Sequence, residues 1–272
     1  MKPKKSLGQN FLKDRNVLEK IIQAADLKAD DLVIEIGPGQ GVLTEELIKH
    51  TGKVLAIEID KNLAKELKNK FTGNKKLDII NDDILKINLP EMIEKNNFQN
   101  YKVIANIPYY ITSPIIQLFL KTKIPPTEMI FMVQKEVAER IVAGPGQMSI
   151  LAISVQYYAD AKLLFHVDKK AFWPVPEVDS AMVKITPYSA LDLTHNPSPY
   201  EGEGGHVNRK RFFRVVKAGF SSKRKTLLNN LSASFHLEKK TTEEKIKKAG
   251  IDPSCRAQEL TTEDWKKLSF LF

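Results

Sequence analysis

The segment Asn106-Ile107-Pro108-Tyr109 brings together residue types that can activate an aromatic amine. The exocyclic amine of adenine is a weak nucleophile because its lone pair is delocalised into the ring. The Asn106 side chain and the Pro108 carbonyl can each accept one N–H bond from it. With both hydrogens held out of conjugation, the lone pair localises toward an electrophile such as a sulfonium methyl. Pro108 lacks an N–H and has a fixed φ, which helps fix its carbonyl. Tyr109 supplies a face for the base. No strong general base is required, since the amine becomes acidic once methylated, so rate comes from positioning and electrostatics. The plainer alternative is a strand-ending turn followed by a core tyrosine. Phe172, in the proline-bracketed run Ala171 to Pro176, can complete a clamp. Stacking contributes about 1–3 kcal/mol per base, against a few kcal/mol for unstacking a nucleotide. A core aromatic beside a turn is the alternative for Phe172.

A second set is Glu35-Ile36-Gly37-Pro38-Gly39-Gln40-Gly41. Gly37 and Gly39 allow the backbone to turn sharply and approach a ligand. A dinucleotide fingerprint would require glycine at Val42 or Thr44, so that fingerprint is broken. The wider G-x-G-x-G turn suits a ligand without pyrophosphate. Glu58 follows a second apolar run, where a carboxylate can accept both ribose hydroxyls. Asp83 follows a third, where it can accept from an adenine amine. Taken singly, each acid reads equally as a solvated loop residue or a helix cap.

The elements that must carry these residues alternate. Leu32–Ile36, Lys53–Ile59, Leu77–Ile80, Tyr101–Ala105 and Met129–Val133 read as strands, with helices at Gly41–His50 and Asn62–Phe71. Such alternation predicts a parallel, doubly wound α/β sheet with its ligands at the carboxyl ends of the strands. Ser149–Ala159 reads as a helix, and Lys162–Val167 and Ala181–Ile185 as an antiparallel pair at the sheet edge. From Pro187 to Asn208 the chain is rich in Pro, Gly, Ser and His and reads as a linker. Residues 209–272 read as helical. The expected organisation is a catalytic domain over 1–187, a linker over 188–208 and a helical domain over 209–272.

Of 272 residues, 42% are hydrophobic, enough for a sizeable core. No apolar run approaches the ~20 residues of a membrane span, and the basic N-terminus has no apolar stretch behind it. Cys255 is the single cysteine, which leaves neither an internal disulfide nor a Cys-rich zinc site and points to a reducing cytoplasm. The histidines are scattered, so no metal is expected. The net charge is +9, of which Ala181 onward holds +7, from 17 basic and 10 acidic residues. A basic lobe beside a near-neutral one suggests that one lobe grips a polyanion, although surplus lysine also aids solubility.

With these residues in view, the chain resembles the KsgA-type ribosomal RNA adenine dimethyltransferases over nearly its full length. The resemblance rests on Leu7-Gly8-Gln9-Asn10-Phe11-Leu12, Glu35–Gly41, Asn106–Tyr109, Phe172–Ser180 and Phe220–Leu227. It implies a seven-stranded, Rossmann-like methyltransferase sheet with a small all-helical C-terminal domain. It also implies S-adenosylmethionine as methyl donor, and dimethylation of two adjacent adenosines near the 3′ end of 16S rRNA in the small ribosomal subunit. By position it assigns Asn10, Leu12, Gly37, Glu58, Asp83 and Asn106 to the methyl donor, with Gly39 beside them in the glycine loop. It assigns Asn106, Pro108, Tyr109 and Phe172 to the target base. Tyr110 departs from the asparagine often found there, and residues 189–207 look longer than the pattern.

Arg209–Lys225 holds eight basic residues and no acid. Phe213, Val216 and Phe220 recur at helical spacing, which predicts one buried face with Arg209, Lys210, Arg214 and Lys217 at its rim. With Lys223, Arg224 and Lys225 these form the expected RNA grip, and Lys2, Lys4, Lys5, Lys13 and Arg15 make a second basic cluster. The rivals are an enzyme dimethylating one adenine of 23S rRNA, a non-enzymatic ribosome assembly factor and, more distantly, a nicotinamide oxidoreductase. Ser113-Pro114 and Lys223–Leu227 favour the KsgA-like reading over the first. Nothing calls for an obligate dimer, so a monomer is expected.

Overall fold

In a computed structural model, which describes residues 3–4, 7–98, 100–188 and 208–272, the aliphatic runs form a seven-stranded sheet. The first half of the chain runs β1 (Phe11–Leu12), α1 (Arg15–Ala25), β2 (Leu32–Ile36), α2 (Val42–His50), β3 (Lys53–Glu58), α3 (Lys61–Lys70), β4 (Leu77–Asn81), α4 (Leu89–Lys95), β5 (Tyr101–Asn106), α5 (Thr112–Lys121), β6 (Glu128–Gln134) and α6 (Lys135–Ile141). Then follow α7 (Ile150–Gln156), β7 (Ala159–Val167), β8 (Phe172–Trp173), β9 (Ser180–Pro187), α8 (Arg209–Gly219), α9 (Leu227–Phe235), α10 (Lys239–Lys248) and α11 (Thr262–Leu271). The sheet order is β4-β3-β2-β5-β6-β9-β7, with β2 to β6 parallel and β9 antiparallel to both neighbours. The expected doubly wound sheet and its antiparallel edge pair are both present.

Strands β2, β3 and β6 are buried almost throughout, the pattern of a parallel sheet covered on both faces by helices. Chain order reverses between β2 and β5. Such a switch point opens a crevice at the carboxyl ends of the strands. Register makes this concrete: Ile36 lies between Ile57 of β3 and Ala105 of β5. The residues that follow, Gly37, Glu58 and Asn106, therefore emerge side by side.

Two compact units divide the chain. One comprises Met1–Glu139 with Ala159–Pro187, the other Arg140–Tyr158 with Tyr188–Phe272. The α7 stretch, read from sequence as part of the sheet domain, thus belongs with the C-terminal helices. Its Ala152 and Ile153 pack in one core with Phe212, Val216, Leu231 and Trp265. The buried face of α8 is Phe212, Val215, Val216, Ala218 and Gly219, whereas Phe213 and Phe220 are half-buried. The apolar face is wider than the expected stripe, for Phe213 and Phe220 pack on the same core, and Gly219 lies against the Trp265 indole with room for no side chain. Asn230, 2% exposed, ties α9 to the end of α8 by donating to the carbonyls of Gly219 (2.6 Å) and Ser222 (2.9 Å). Most of the segment expected to be a linker lies outside the described residues.

Candidate active site

The loop after β2 wraps a cleft that opens to solvent and is walled by the N-terminal segment, Glu58, Ile59 and the Asn106–Tyr109 turn. Gly37 has φ +64°, and nothing lies within 4 Å of where its Cβ would stand, so that side of the loop opens onto the cleft. Gly39, with φ +58°, meets the Phe11 ring, where a Cβ would approach to 3.0 Å. Both need the left-handed conformation that glycine adopts without strain. Glu58 closes one side. It is 3% exposed, and its carboxylate accepts from the Gly39 N–H at 3.0 Å and the Asp60 N–H at 2.8 Å. Ile59 follows at the rim with 47% of its surface exposed, an apolar face for a planar ring that the sequence reading did not single out.

The N-terminal segment forms the opposite wall. β1 pairs antiparallel with β8, matching Phe11 with Trp173 and Leu12 with Phe172, and the Phe11 and Trp173 rings stack at 6.5 Å. Asp60, 2% exposed, fastens this segment to β3. It takes a salt bridge from Lys4 at 2.9 Å and a hydrogen bond from Gln9 Nε2 at 3.1 Å. Lys4 is therefore tied to the cleft rim rather than free for RNA. Asn10 lines the cleft and contributes its main-chain carbonyl, which accepts from Asn106 Nδ2 at 3.0 Å. That bond leaves Asn106 Oδ1 as the acceptor to be presented.

Pro108 and Tyr109 line the same cleft. The Pro108 carbonyl accepts from the Ile111 N–H at 3.1 Å, which fixes its direction and leaves one lone pair. Tyr109 is half-buried, and its hydroxyl lies 2.8 Å from Ser180 Oγ. Burial pushes the phenol above its usual range, so it is no base at neutral pH. Phe172 does not provide the expected open ring. It is fully buried in the core with Leu12 and Met182 as neighbours, because β8 turns it inward while Trp173 faces out.

Asp83 stands in the turn after β4. Its carboxylate accepts from the Leu85 N–H at 3.0 Å and pairs with Lys86 at 3.5 Å. Glu35 is the acid that sequence reasoning missed. It lines the cleft at 1% exposure, and one carboxyl oxygen has no hydrogen-bond partner. Desolvation pushes its carboxyl up to about 8; the nearby Thr44 hydroxyl pulls the other way and the Glu58 carboxylate adds to the rise. Its position at the end of an apolar strand, directly before the glycines, was the signal available.

On α8 and in the turn after it the predicted cations divide. Arg214 donates to the Phe272 carbonyl at 3.2 Å and covers the Phe235 ring at 5.1 Å, so it serves the helical core. Arg209 lies close enough to Tyr158 that its charge opposes the rise that burial gives the Tyr158 phenol. Lys210, Lys217, Lys223, Arg224 and Lys225 are exposed and, among the described residues, make no ion pair. No group of three or more His, Cys, Asp or Glu able to hold a metal occurs among the described residues. None of their helices is long and apolar enough to cross a membrane.

The cleft residues fit S-adenosylmethionine. Glu58 suits a ribose diol, Ile59 an adenine face, and the open side of Gly37 a close backbone approach. Sheet, switch point and cleft together define an S-adenosylmethionine-dependent methyltransferase. The chain belongs to the ribosomal RNA adenine dimethylase family, whose model matches residues 1–272. It is thus an enzyme that dimethylates adenine in ribosomal RNA with S-adenosylmethionine as donor. Among its relatives, the ribosomal RNA small subunit methyltransferase A of Dehalococcoides mccartyi is 46% identical over 98% of this chain and 88% of its own length. That of Alkaliphilus metalliredigens is 42% identical over 97% and 90%. A dimethyladenosine transferase from Plasmodium falciparum superposes with a TM-score of 0.75 at 29% identity, covering 95% of each chain. The 23S rRNA methyltransferase ErmE gives 0.73 at 26% identity, covering 96% of this chain and 99% of its own.

Proposed function

We propose that the substrate is 16S rRNA within the small ribosomal subunit or its precursor, dimethylated on N6 of two adjacent adenosines near its 3′ end. The observation that carries this is the Asn106–Tyr109 turn, with its oriented amide and directed carbonyl, in the wall of the cleft that the glycine loop and Glu58 share. The small-subunit relatives, at 42–46% identity, support that subunit over the large one.

When bound, the methyl donor supplies an electrophilic methyl on a sulfonium. Asn10, Leu12, Gly37, Gly39 and Glu58 hold it, Glu58 through the ribose hydroxyls. In the first transfer Asn106 Oδ1 and the free lone pair of the Pro108 carbonyl each accept one N–H of the target amine; in the second, one of them accepts the single N–H that the methylamine retains. This withdraws the amine lone pair from the ring, and Tyr109 holds the base plane. After transfer the nitrogen's proton passes to solvent, since the tethered and weakly acidic Tyr109 phenol is no acceptor. Residues 209–272 grip RNA through Lys210, Lys217, Lys223, Arg224 and Lys225, and the enzyme works in the cytoplasm as a monomer.

The test is direct. The protein is mixed with labelled S-adenosylmethionine and small subunits lacking the modification, and the RNA is digested. The expected product is dimethyladenosine in 16S rRNA. Label found only in 23S rRNA, protein or a small molecule overturns the proposal.

A further inference from the structure

Ser180 stands at the first position of β9, where the strand enters the sheet between β6 and β7, opposite Gln134 and Val167. It is fully buried. The preceding residue fixes it further. The Asp179 carbonyl accepts from the Lys135 N–H at 3.0 Å, and the Asp179 carboxylate from the Lys169 N–H at 3.0 Å. The hydroxyl of Ser180 is thus mounted on the rigid centre of an antiparallel edge. It lies 2.8 Å from the Tyr109 hydroxyl, across a sequence separation of 71 residues.

Tyr109 is itself held from below. It opens a single turn of 3-10 helix, Tyr109–Ile111, closed by the Ile111 N–H on the Pro108 carbonyl. One end of its side chain is fixed by that turn and the other by Ser180. A phenol held at both ends cannot swing about χ1, and the ring plane is set before any base arrives. Ordering an aromatic side chain in advance removes an entropic penalty that binding would otherwise carry. Burial of Ser180 makes the bond count, because its hydroxyl left alone loses its partner without gaining water.

We propose that Ser180 is a positioning residue for methyl transfer: its hydroxyl tethers the Tyr109 phenol and so sets the ring face on which the target adenine lies. This rests on the reading of Tyr109 as the base platform. Ser180 touches neither donor nor base and acts only through the tyrosine. The same tether explains why Tyr109 carries a hydroxyl that the chemistry does not use.

The experiment compares Ser180→Ala, Tyr109→Phe and the double variant with the unaltered enzyme on 16S rRNA in small subunits. Ser180→Ala is expected to lower kcat about tenfold, the scale of one buried hydrogen bond, with donor affinity unchanged. Tyr109→Phe removes the same bond from the other side and should lose a similar factor. The double variant should be no slower than the worse single one, because both changes delete one interaction. RNA carrying 2-aminopurine at the target position should be less quenched when bound to Ser180→Ala, reporting a looser stack. If Ser180→Ala proves unstable, Tyr109→Phe and the quenching measurement carry the test. Full activity in either single variant, or penalties that simply multiply, overturns the tether. Failure of the unaltered enzyme to methylate 16S rRNA would instead overturn the proposed function, so the two failures are distinct.

Discussion

Asn106 donates through Nδ2 to the main-chain carbonyl of Asn10 at 3.0 Å, a bond between residues 96 apart in sequence. The reacting amide is therefore aimed by a backbone atom of the segment that walls the donor cleft. Because a main-chain carbonyl supplies the acceptor, exchange of the Asn10 side chain leaves the bond intact. Asn106→Ala removes the acceptor for the target amine. It is expected to lower kcat by about 10²–10³-fold, as loss of one preorganised polar group does in other enzymes. Asn106→Asp keeps the shape and loses the donor to Asn10, so it should also be slow. Single-turnover methylation at saturating donor measures both.

Glu58 should govern donor affinity. Glu58→Ala removes a charge-assisted acceptor and strands the N–H groups of Gly39 and Asp60. Hydrogen bonds to charged groups are worth about 1.5–3 kcal/mol, so donor binding should weaken about 10- to 100-fold. Burial raises the Glu58 carboxyl above its ordinary 4.5. Affinity should therefore fall on acidification at a higher pH than for a free glutamate, and Glu58→Gln should abolish that dependence. Calorimetry with S-adenosylhomocysteine reads both effects.

Glu35 makes a stability prediction with a definite sign. Its carboxyl, ordinarily near 4.5, is raised to about 8 in the folded protein. Between those values the unfolded chain has lost the proton and the folded chain retains it. Stability contributed by this group is thus full below pH 4.5, declines as pH rises, and levels off beyond about 8. Glu35→Gln should melt higher than the unaltered protein by a margin that grows from pH 5 toward pH 8. Thermal melts across that range check it, and a constant margin would count against the buried, protonated acid.

Gly219 predicts a local packing defect. An added Cβ would stand 2.8 Å from Trp265 Cζ3, with another ring atom closer still. Gly219→Ala should destabilise the helical unit by about 1–3 kcal/mol, the usual effect of overpacking a filled core. Denaturant unfolding followed by Trp265 fluorescence would show the shift.

The exposed cations of the helical unit should act through charge rather than shape. Reversing Lys223, Arg224 and Lys225 together should weaken RNA binding. Its salt dependence should also become shallower, by about 0.7 log unit for each single-strand phosphate no longer neutralised. A fluorescence titration at several salt concentrations measures the slope. An unchanged slope would place the RNA elsewhere.

The sheet was readable because each of its inner strands is a short, nearly continuous aliphatic run, and such periodicity is local. The glycine loop and the Asn106–Tyr109 turn were readable for the same reason. What escaped was set by distant partners. β1 and β8 are two residues each and exist only because Phe11 and Leu12 meet Trp173 and Phe172. Inward rotation of Phe172, the Glu58–Gly39 bond and the Ser180–Tyr109 tether all join segments well apart in sequence. On α8 the expected residues do meet the core, but Gly219, silent in any apolar pattern, gave no sign that the Trp265 ring lies against it.

The two-residue pairing of β1 with β8 has a consequence for the moment of synthesis. One wall of the donor cleft is made at the beginning of the chain, yet the strand that braces it is translated some 160 residues later. A nascent chain that has emerged only through β6 holds the glycine loop, Glu58 and Asn106, but lacks the strand that pairs with Phe11 and Leu12. The strand pairing that braces this wall is therefore completed late in translation, after β8 has left the tunnel.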